Sequence, residues 1–244
     1  MHLLLLSNST NHGDDYLAHA IEPVRAHLAG RALTFVPYAL ADHDAYTATV
    51  RRALAPHGIE VDGVHRHADP AAAIAGAEAV FVGGGNTFRL LARLQSTGLD
   101  DALRERVHGG MPYMGASAGT NIAGQTIRTT NDMPIVQPPS FDALGLVPFQ
   151  INPHYIDADP TSTHNGETRE QRLTEFLEEN DAAVLGLREG TWLHVSGDVA
   201  QIGGTAVSPR APGPAVLFER GSAPTEVSGD VSALLTRRPR FDAA

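Results

Sequence analysis

Through the first half of the chain, short all-apolar runs alternate with stretches whose apolar residues recur every three or four positions. That alternation is the sequence form of strand, crossover helix and parallel strand. Residues 3–6, four leucines in succession, read as a buried first strand. A helix over 16–28 follows, with Ala18, Ile21, Val24 and Leu28 on one stripe. Further strands are expected over 32–37, 59–64, 79–82 and 112–115, separated by helices over 46–55 and 99–107 and by the stripe Phe88, Leu90, Leu91 and Leu94. The pattern predicts an α/β fold with a mostly parallel central sheet flanked by helices on both faces.

The second half reads differently. A small-residue helix over 118–124 leads into a polar, proline-bearing stretch over 126–148 with no clear period. Long irregular segments in compact domains tend to be functional. A strand over 149–152 ends at Pro153-His154, a charged amphipathic helix covers 167–179, and another strand covers 184–187. Residues 191–195 and 199–202, joined by Ser196-Gly197-Asp198, predict a C-terminal antiparallel hairpin, with a last strand over 215–219. No repeat, low-complexity run or linker divides the chain, so one domain spanning residues 1–244 is expected.

Composition excludes several kinds of function. Eighteen Lys and Arg against 28 Asp and Glu leave a formal charge of −10, which repels phosphate backbones and anionic lipid, so nucleic acid and membrane are not expected partners. The absence of cysteine removes thiolate nucleophiles, disulfides and cysteine-type zinc sites. The four opening leucines are too few for a signal-peptide core or a membrane span. A cytoplasmic location is expected.

The strongest local signal is Gly115-Ala116-Ser117-Ala118-Gly119, a Gly-x-Ser-x-Gly between a predicted strand and a predicted helix. Small flanking residues let the chain turn sharply and lift Ser117 Oγ above the sheet, with the Ala118 amide and a helix N-terminus facing the same spot. Gly83-Gly84-Gly85-Asn86 ends a neighbouring strand, where open α/β sheets bind ligands. An N–H of Gly84 or Gly85 there could complete an oxyanion hole. The cluster lacks the spacing of a dinucleotide loop or a P-loop.

An activated serine needs a base. Among twelve histidines, His154 is expected at a sheet edge, whereas His19, His27, His43 and His57 fall on helices or helix ends. His65-Arg66-His67 offers two imidazoles without a third ligand, so no metal site is expected. For the group that orients the imidazole, Glu189 directly follows a strand and Asp132 lies in the irregular stretch; the residues alone leave that choice open.

Several segments together resemble the peptidase E family of aspartyl dipeptidases. They are Leu-Leu-Leu-Leu-Ser-Asn-Ser-Thr at 3–10, residues 82–88, the serine motif, Ile-Arg-Thr-Thr-Asn-Asp-Met-Pro-Ile-Val at 127–136, residues 151–154, and Gly-Glu-Thr-Arg-Glu-Gln-Arg at 166–172. The resemblance runs in order through nearly the whole chain. It implies a class I glutamine amidotransferase-like fold carrying serine in place of cysteine. It also implies hydrolysis of small peptides that begin with aspartate, with no metal or other cofactor.

Carried onto this sequence, the resemblance puts the nucleophile at Ser117, the base at His154 and the third member at Glu189. The oxyanion amides fall at Gly85 and Ala118, and the aspartate-recognising guanidinium at Arg169, with Asn86 assisting. A bidentate guanidinium suits a buried carboxylate better than a flexible ammonium does. Asp132 is a second-rank candidate, as a brace or an alternative orienting acid. One departure is Ala116, where the family pattern carries a bulky tryptophan; a smaller neighbour there leaves open a wider pocket or a looser rotamer of the nucleophile. The competing readings are a cyanophycinase-like or isoaspartyl hydrolase with the same triad, and a catalytically silent small-molecule binder.

Overall fold

The structure, a computed structural model, describes residues 1–159, 161, 163 and 166–243. In chain order its strands are β1 (His2–Leu6), β2 (Leu33–Val36), β3 (Val61–Gly63), β4 (Ala79–Val82), β5 (Tyr113–Ala116), β6 (Gln150–Tyr155), β7 (Val184–Arg188), β8 (Thr191–Ser196), β9 (Val199–Gly204), β10 (Ala215–Phe218), β11 (Thr225–Val227) and β12 (Gly229–Asp230). The helices are α1 (Ile21–Leu28), α2 (His43–Leu54), α3 (Pro70–Ala75), α4 (Thr87–Thr97), α5 (Leu99–His108), α6 (Ala118–Asn121) and α7 (Arg169–Glu179).

The strands form two sheets rather than one: an eight-stranded sheet in the order β12-β9-β8-β1-β5-β4-β2-β3 and a four-stranded sheet in the order β11-β10-β7-β6. Within the larger sheet β1, β5, β4, β2 and β3 run parallel. The β8–β9 hairpin adds antiparallel to β1, pairing Leu6 with Trp192. The expected α/β architecture, with its mostly parallel sheet and C-terminal hairpin, is therefore present.

Strand alternation decides what each face buries. Leu3 and Leu5 join a core with Leu90, Leu91 and Leu94 of α4, Leu99 and Leu103 of α5 and Ile74 of α3. Leu4 and Leu6 face the other way and pack with Val24 and Leu28 of α1 and Val50 and Leu54 of α2. All four leucines are fully buried, so a strand without polar alternation is what two covered faces require.

The structure departs from the sequence expectations at particular places. The helix expected from residue 16 begins only at Ile21, because Leu17 adopts φ 62° and its amide bonds Ser9 O. Helix α2 starts earlier than expected, since Asp42 caps it by accepting from Ala45 N. The helix expected over 118–124 is a single turn, as the carbonyls of Ile122, Ala123 and Gly124 accept from Leu144, Leu146 and Gly145 instead of continuing it. His154 does not end its strand. Strand β6 runs on to Tyr155, with its register against β7 broken between Asn152 and Tyr155, where Pro153 has no N–H to give.

Candidate active site

The C-terminal ends of three adjacent parallel strands, β1, β5 and β4, meet at one rim of the larger sheet. Ser117 leaves β5 with φ 53° and ψ −110°, a backbone conformation that costs a non-glycine residue of order 1–3 kcal/mol. The surroundings hold it there. Ser117 N donates to Leu6 O at 3.1 Å, and Ser117 O accepts from the amides of Thr120 and Asn121 at 2.9 and 2.8 Å.

Both motif glycines are sites of backbone contact. A Cβ on Gly115 would lie 2.5 Å from Gly119 O, and one on Gly119 would lie 2.0 Å from Val82 O. The sharp turn that presents the hydroxyl therefore excludes side chains at these two positions. Because α6 is one turn long, its aligned dipoles add little, and the individual amide of Ala118 is what faces the site. Ala116 is fully buried and belongs to the same core cluster as Leu4, Leu6, Phe35 and Phe81.

The glycine loop after β4 passes directly over the serine: a Cβ on Gly84 would come within 3.0 Å of Ser117 Cβ. Three of its four amides are committed. Gly83 N donates to Val36 O, Asn86 N to Ala39 O, and Gly84 N to the hydroxyl of Tyr46 at 2.8 Å. Among the described residues, Gly85 N and Ala118 N have no protein acceptor. The choice between Gly84 and Gly85 as the available donor thus falls on Gly85, which adopts φ 131° with Ala39 O 2.6 Å from where a Cβ would sit.

His154 and Glu189 come from the other sheet. At the β6 irregularity His154 takes φ 53°, and its amide donates to Ser7 Oγ at 2.9 Å. Its Nδ1 lies 2.7 Å from Glu189 Oε1, which leaves Nε2 uncommitted among the described residues. Ser117 Oγ is likewise uncommitted there. Catalytic hydrogen bonds often tighten only when substrate arrives.

Two residues without an assigned role in the sequence tie these parts together. Ser7, fully buried, accepts from His154 N while donating to Leu187 O at 2.9 Å. Asn8 Oδ1 accepts from Gly190 N at 2.8 Å. Leu6, Ser7 and Asn8 thus hold the backbones beside Ser117, His154 and Glu189 in turn. The available signal is two polar residues placed directly after an all-apolar strand at the ligand-binding end of a parallel sheet.

Arg188, next to Glu189, is almost wholly buried and forks onto Asp157 and Glu226 at 2.5–2.8 Å. Burial opposes its charge, but its hydrogen bonds to Glu226 and Asp157 prevail and hold the guanidinium above its usual value. A cavity of about 560 Å³ beside Glu189 is lined by Tyr155, Asp157, Arg188 and Arg210.

Arg169 is the first residue of α7, whose start is fixed by a capping box between Thr168 and Gln171. It lines a second cavity of about 390 Å³ that shares residues 156–159 with the first. Arg169 has no ion-pair or hydrogen-bond partner among the described residues. Burial and neighbouring Arg172 hold its guanidinium below its usual value, with Asp132 acting against them.

Asp132 and Asn86 brace the glycine loop. Asp132 Oδ2 accepts from Thr87 N and Thr87 Oγ1 at 2.7 and 2.6 Å. Asn86 caps α4 through Arg89 N and donates to Met133 O at 2.9 Å, so both ends of its amide are engaged. Elsewhere, His65 and His67 pair with Asp44 and Asp62, and no cluster able to hold a metal occurs among the described residues. No helix there is long and apolar enough to cross a membrane.

Comparison with known proteins gives a consistent picture. Residues 3–203 match the sequence pattern of peptidase family S51. The chain is 64% identical to peptidase E of Streptomyces coelicolor over 99% of its own length and 98% of that protein's. It is 54% identical to a probable alpha-aspartyl dipeptidase of Drosophila melanogaster, covering 81% of this chain and 84% of that one. A crystal structure of a putative peptidase E protein from Listeria monocytogenes superposes with TM-score 0.65 at 24% identity, over 84% of this chain and 98% of that one, and shares its fold.

Proposed function

Because the chain belongs to peptidase family S51, we propose that Ser117, His154 and Glu189 are its catalytic triad. The chain is a serine-type dipeptidase that acts on peptides with aspartate at the N-terminus. The observation that carries the triad reading is the His154–Glu189 contact at 2.7 Å, made by an imidazole whose other nitrogen stays free.

In this reading His154 Nε2 accepts the Ser117 proton as Oγ attacks the carbonyl of the aspartyl residue. The carbonyl oxygen, now an anion, is received by the free amides of Gly85 and Ala118, each such donor supplying roughly 2.7–4 kcal/mol in the transition state. Glu189 fixes the proton on Nδ1 and favours the imidazolium that forms. His154 then protonates the departing amine, leaving an acyl-enzyme, and water reverses the steps. Arg169 receives the aspartyl side chain: a partly desolvated guanidinium lacking a carboxylate partner gains most from one supplied by substrate. Asn86 and Asp132 serve by holding the glycine loop. A single domain over residues 1–244 and a cytoplasmic location belong to the same reading.

The test is hydrolysis of Asp-Leu, β-Asp-Leu and Asn-Leu by wild type, Ser117→Ala and His154→Ala, with folding checked by circular dichroism. Wild type is expected to prefer Asp-Leu, and each variant to lose roughly 10⁴-fold or more in kcat. Retained activity in a folded Ser117→Ala chain refutes the triad; faster turnover of β-Asp-Leu refutes the α-aspartyl preference.

A further inference from the structure

The oxyanion amide of Gly85 lies in a run of three glycines, which has no side chains of its own to fix its peptide planes. Something outside the loop must set them. Gly84 N–H donates to Tyr46 Oη inside the protein at 2.8 Å, and that oxygen in turn lies 3.2 Å from Tyr16 Oη. A chain of hydrogen bonds thus runs from Gly84 N–H to Tyr46 Oη and on to the Tyr16 hydroxyl. Gly83 makes room for it: a Cβ there would lie 2.6 Å from Tyr46 Oη. The Tyr46 ring is locked edge-on against Phe35, with centroids 4.9 Å apart. Burial raises both tyrosine hydroxyls above their usual range, so they stay protonated wherever the enzyme works.

We propose that Tyr46, backed by Tyr16, is the positioning residue of the oxyanion hole. By holding the Gly84 N–H on the far side of the loop, it fixes the following peptide so that Gly85 N–H is presented to the reacting carbonyl. Tyr46 does not touch substrate and acts only through the loop. Without its hydroxyl, Gly84 N–H becomes a buried donor without an acceptor, and the loop relieves this by rotating, which turns the Gly85 amide away. The proposal rests on the peptidase reading above.

The test compares wild type, Tyr46→Phe and Tyr16→Phe in three measurements. These are kcat and KM on Asp-Leu, inhibition by an aspartyl boronic acid that becomes tetrahedral on Ser117 Oγ, and inhibition by free aspartate. Tyr46→Phe is expected to lower kcat roughly 10- to 100-fold with KM and aspartate inhibition within about twofold, and to weaken the boronic acid by the same factor as kcat. Tyr16→Phe follows the same pattern at a few-fold. A lowered melting temperature with unchanged kcat and boronic acid affinity, in either variant, overturns the role. If Tyr46→Phe does not fold, Tyr16→Phe decides. A wild type that hydrolyses no Asp-dipeptide overturns the peptidase reading and this one with it; an active wild type with a fully active Tyr46→Phe overturns only the positioning role.

Discussion

Ser7 Oγ accepts the backbone amide of His154 at 2.9 Å across a separation of 147 positions. It thereby supplies an acceptor to a donor at the point where the register of β6 against β7 is broken. The hydroxyl also donates to Leu187 O, so a single buried side chain joins the rim of the larger sheet to strands β6 and β7 of the smaller one.

Replacing Ser7 by alanine removes the acceptor of His154 N and a donor to Leu187 O in a buried part of the fold. A destabilisation of about 1–3 kcal/mol is expected, together with a fall in kcat as the imidazole loses its fixed backbone. Urea unfolding and steady-state kinetics on Asp-Leu measure the two; a variant as stable and as active as wild type contradicts the bridging role.

Glu189→Gln keeps the shape of the side chain and removes its charge. The imidazolium that forms during attack then lacks its counter-charge, and kcat is expected to fall about 100-fold with KM little changed. Rapid-quench detection of the acyl-enzyme would place the loss in the acylation step.

Arg169→Ala should erase the preference for Asp-Leu over Asn-Leu by lowering kcat/KM on Asp-Leu roughly 10- to 100-fold. Arg169→Lys restores the charge without the planar fork and is expected to recover only part of the difference. An equal loss on both substrates would assign Arg169 to the fold instead.

Two glycines with positive φ separate strain from contact. Gly98 sits at φ 68° with nothing within 4 Å of an added Cβ, whereas Gly85 sits at φ 131° with Ala39 O at 2.6 Å. Gly98→Ala should cost about 1 kcal/mol of stability and leave kcat intact. Gly85→Ala should lower kcat more than tenfold, because the displaced peptide is the oxyanion donor. Paired melting and kinetic measurements on the two variants check this.

Acid stability should follow His27. Its burial and neighbouring His194, at 5.9 Å between ring centroids, push its pKa down to about 4. The unfolded chain, with an ordinary histidine near pH 6.5, binds the proton first, so stability is complete above that pH and falls as pH drops towards 4. By pH 5 the loss from this one group is about 2 kcal/mol. Between pH 7 and pH 5, wild type should lose about 2 kcal/mol more stability than His27→Leu, measured from melting curves; parallel pH dependences would remove His27 as the cause.

The nucleophile turn is legible in the sequence because local sterics dictate it: Gly115 and Gly119 stand where any Cβ would strike backbone, and such constraints are written in adjacent letters. The parallel strands are legible for a similar reason, since unbroken apolar runs such as residues 3–6 match two covered faces. The division into two sheets is not legible. Residues 150–155 and 184–188 look like further strands, and which strands they pair with is settled by long-range packing. Helix α3 carries only Ile74 as a large buried apolar residue, too little for a period, although Asp69 and Pro70 mark its start. Tyr46 lies 38 positions from the loop it holds and gives no local sign of doing so.

The serine leaves the larger sheet, whereas the imidazole and carboxylate hang from the smaller one. Under the triad reading, a ribosome-bound chain that has already folded its first 117 residues displays the hydroxyl with no partner to activate it. Bond-breaking power arrives only after residue 189 has emerged and the two sheets have docked.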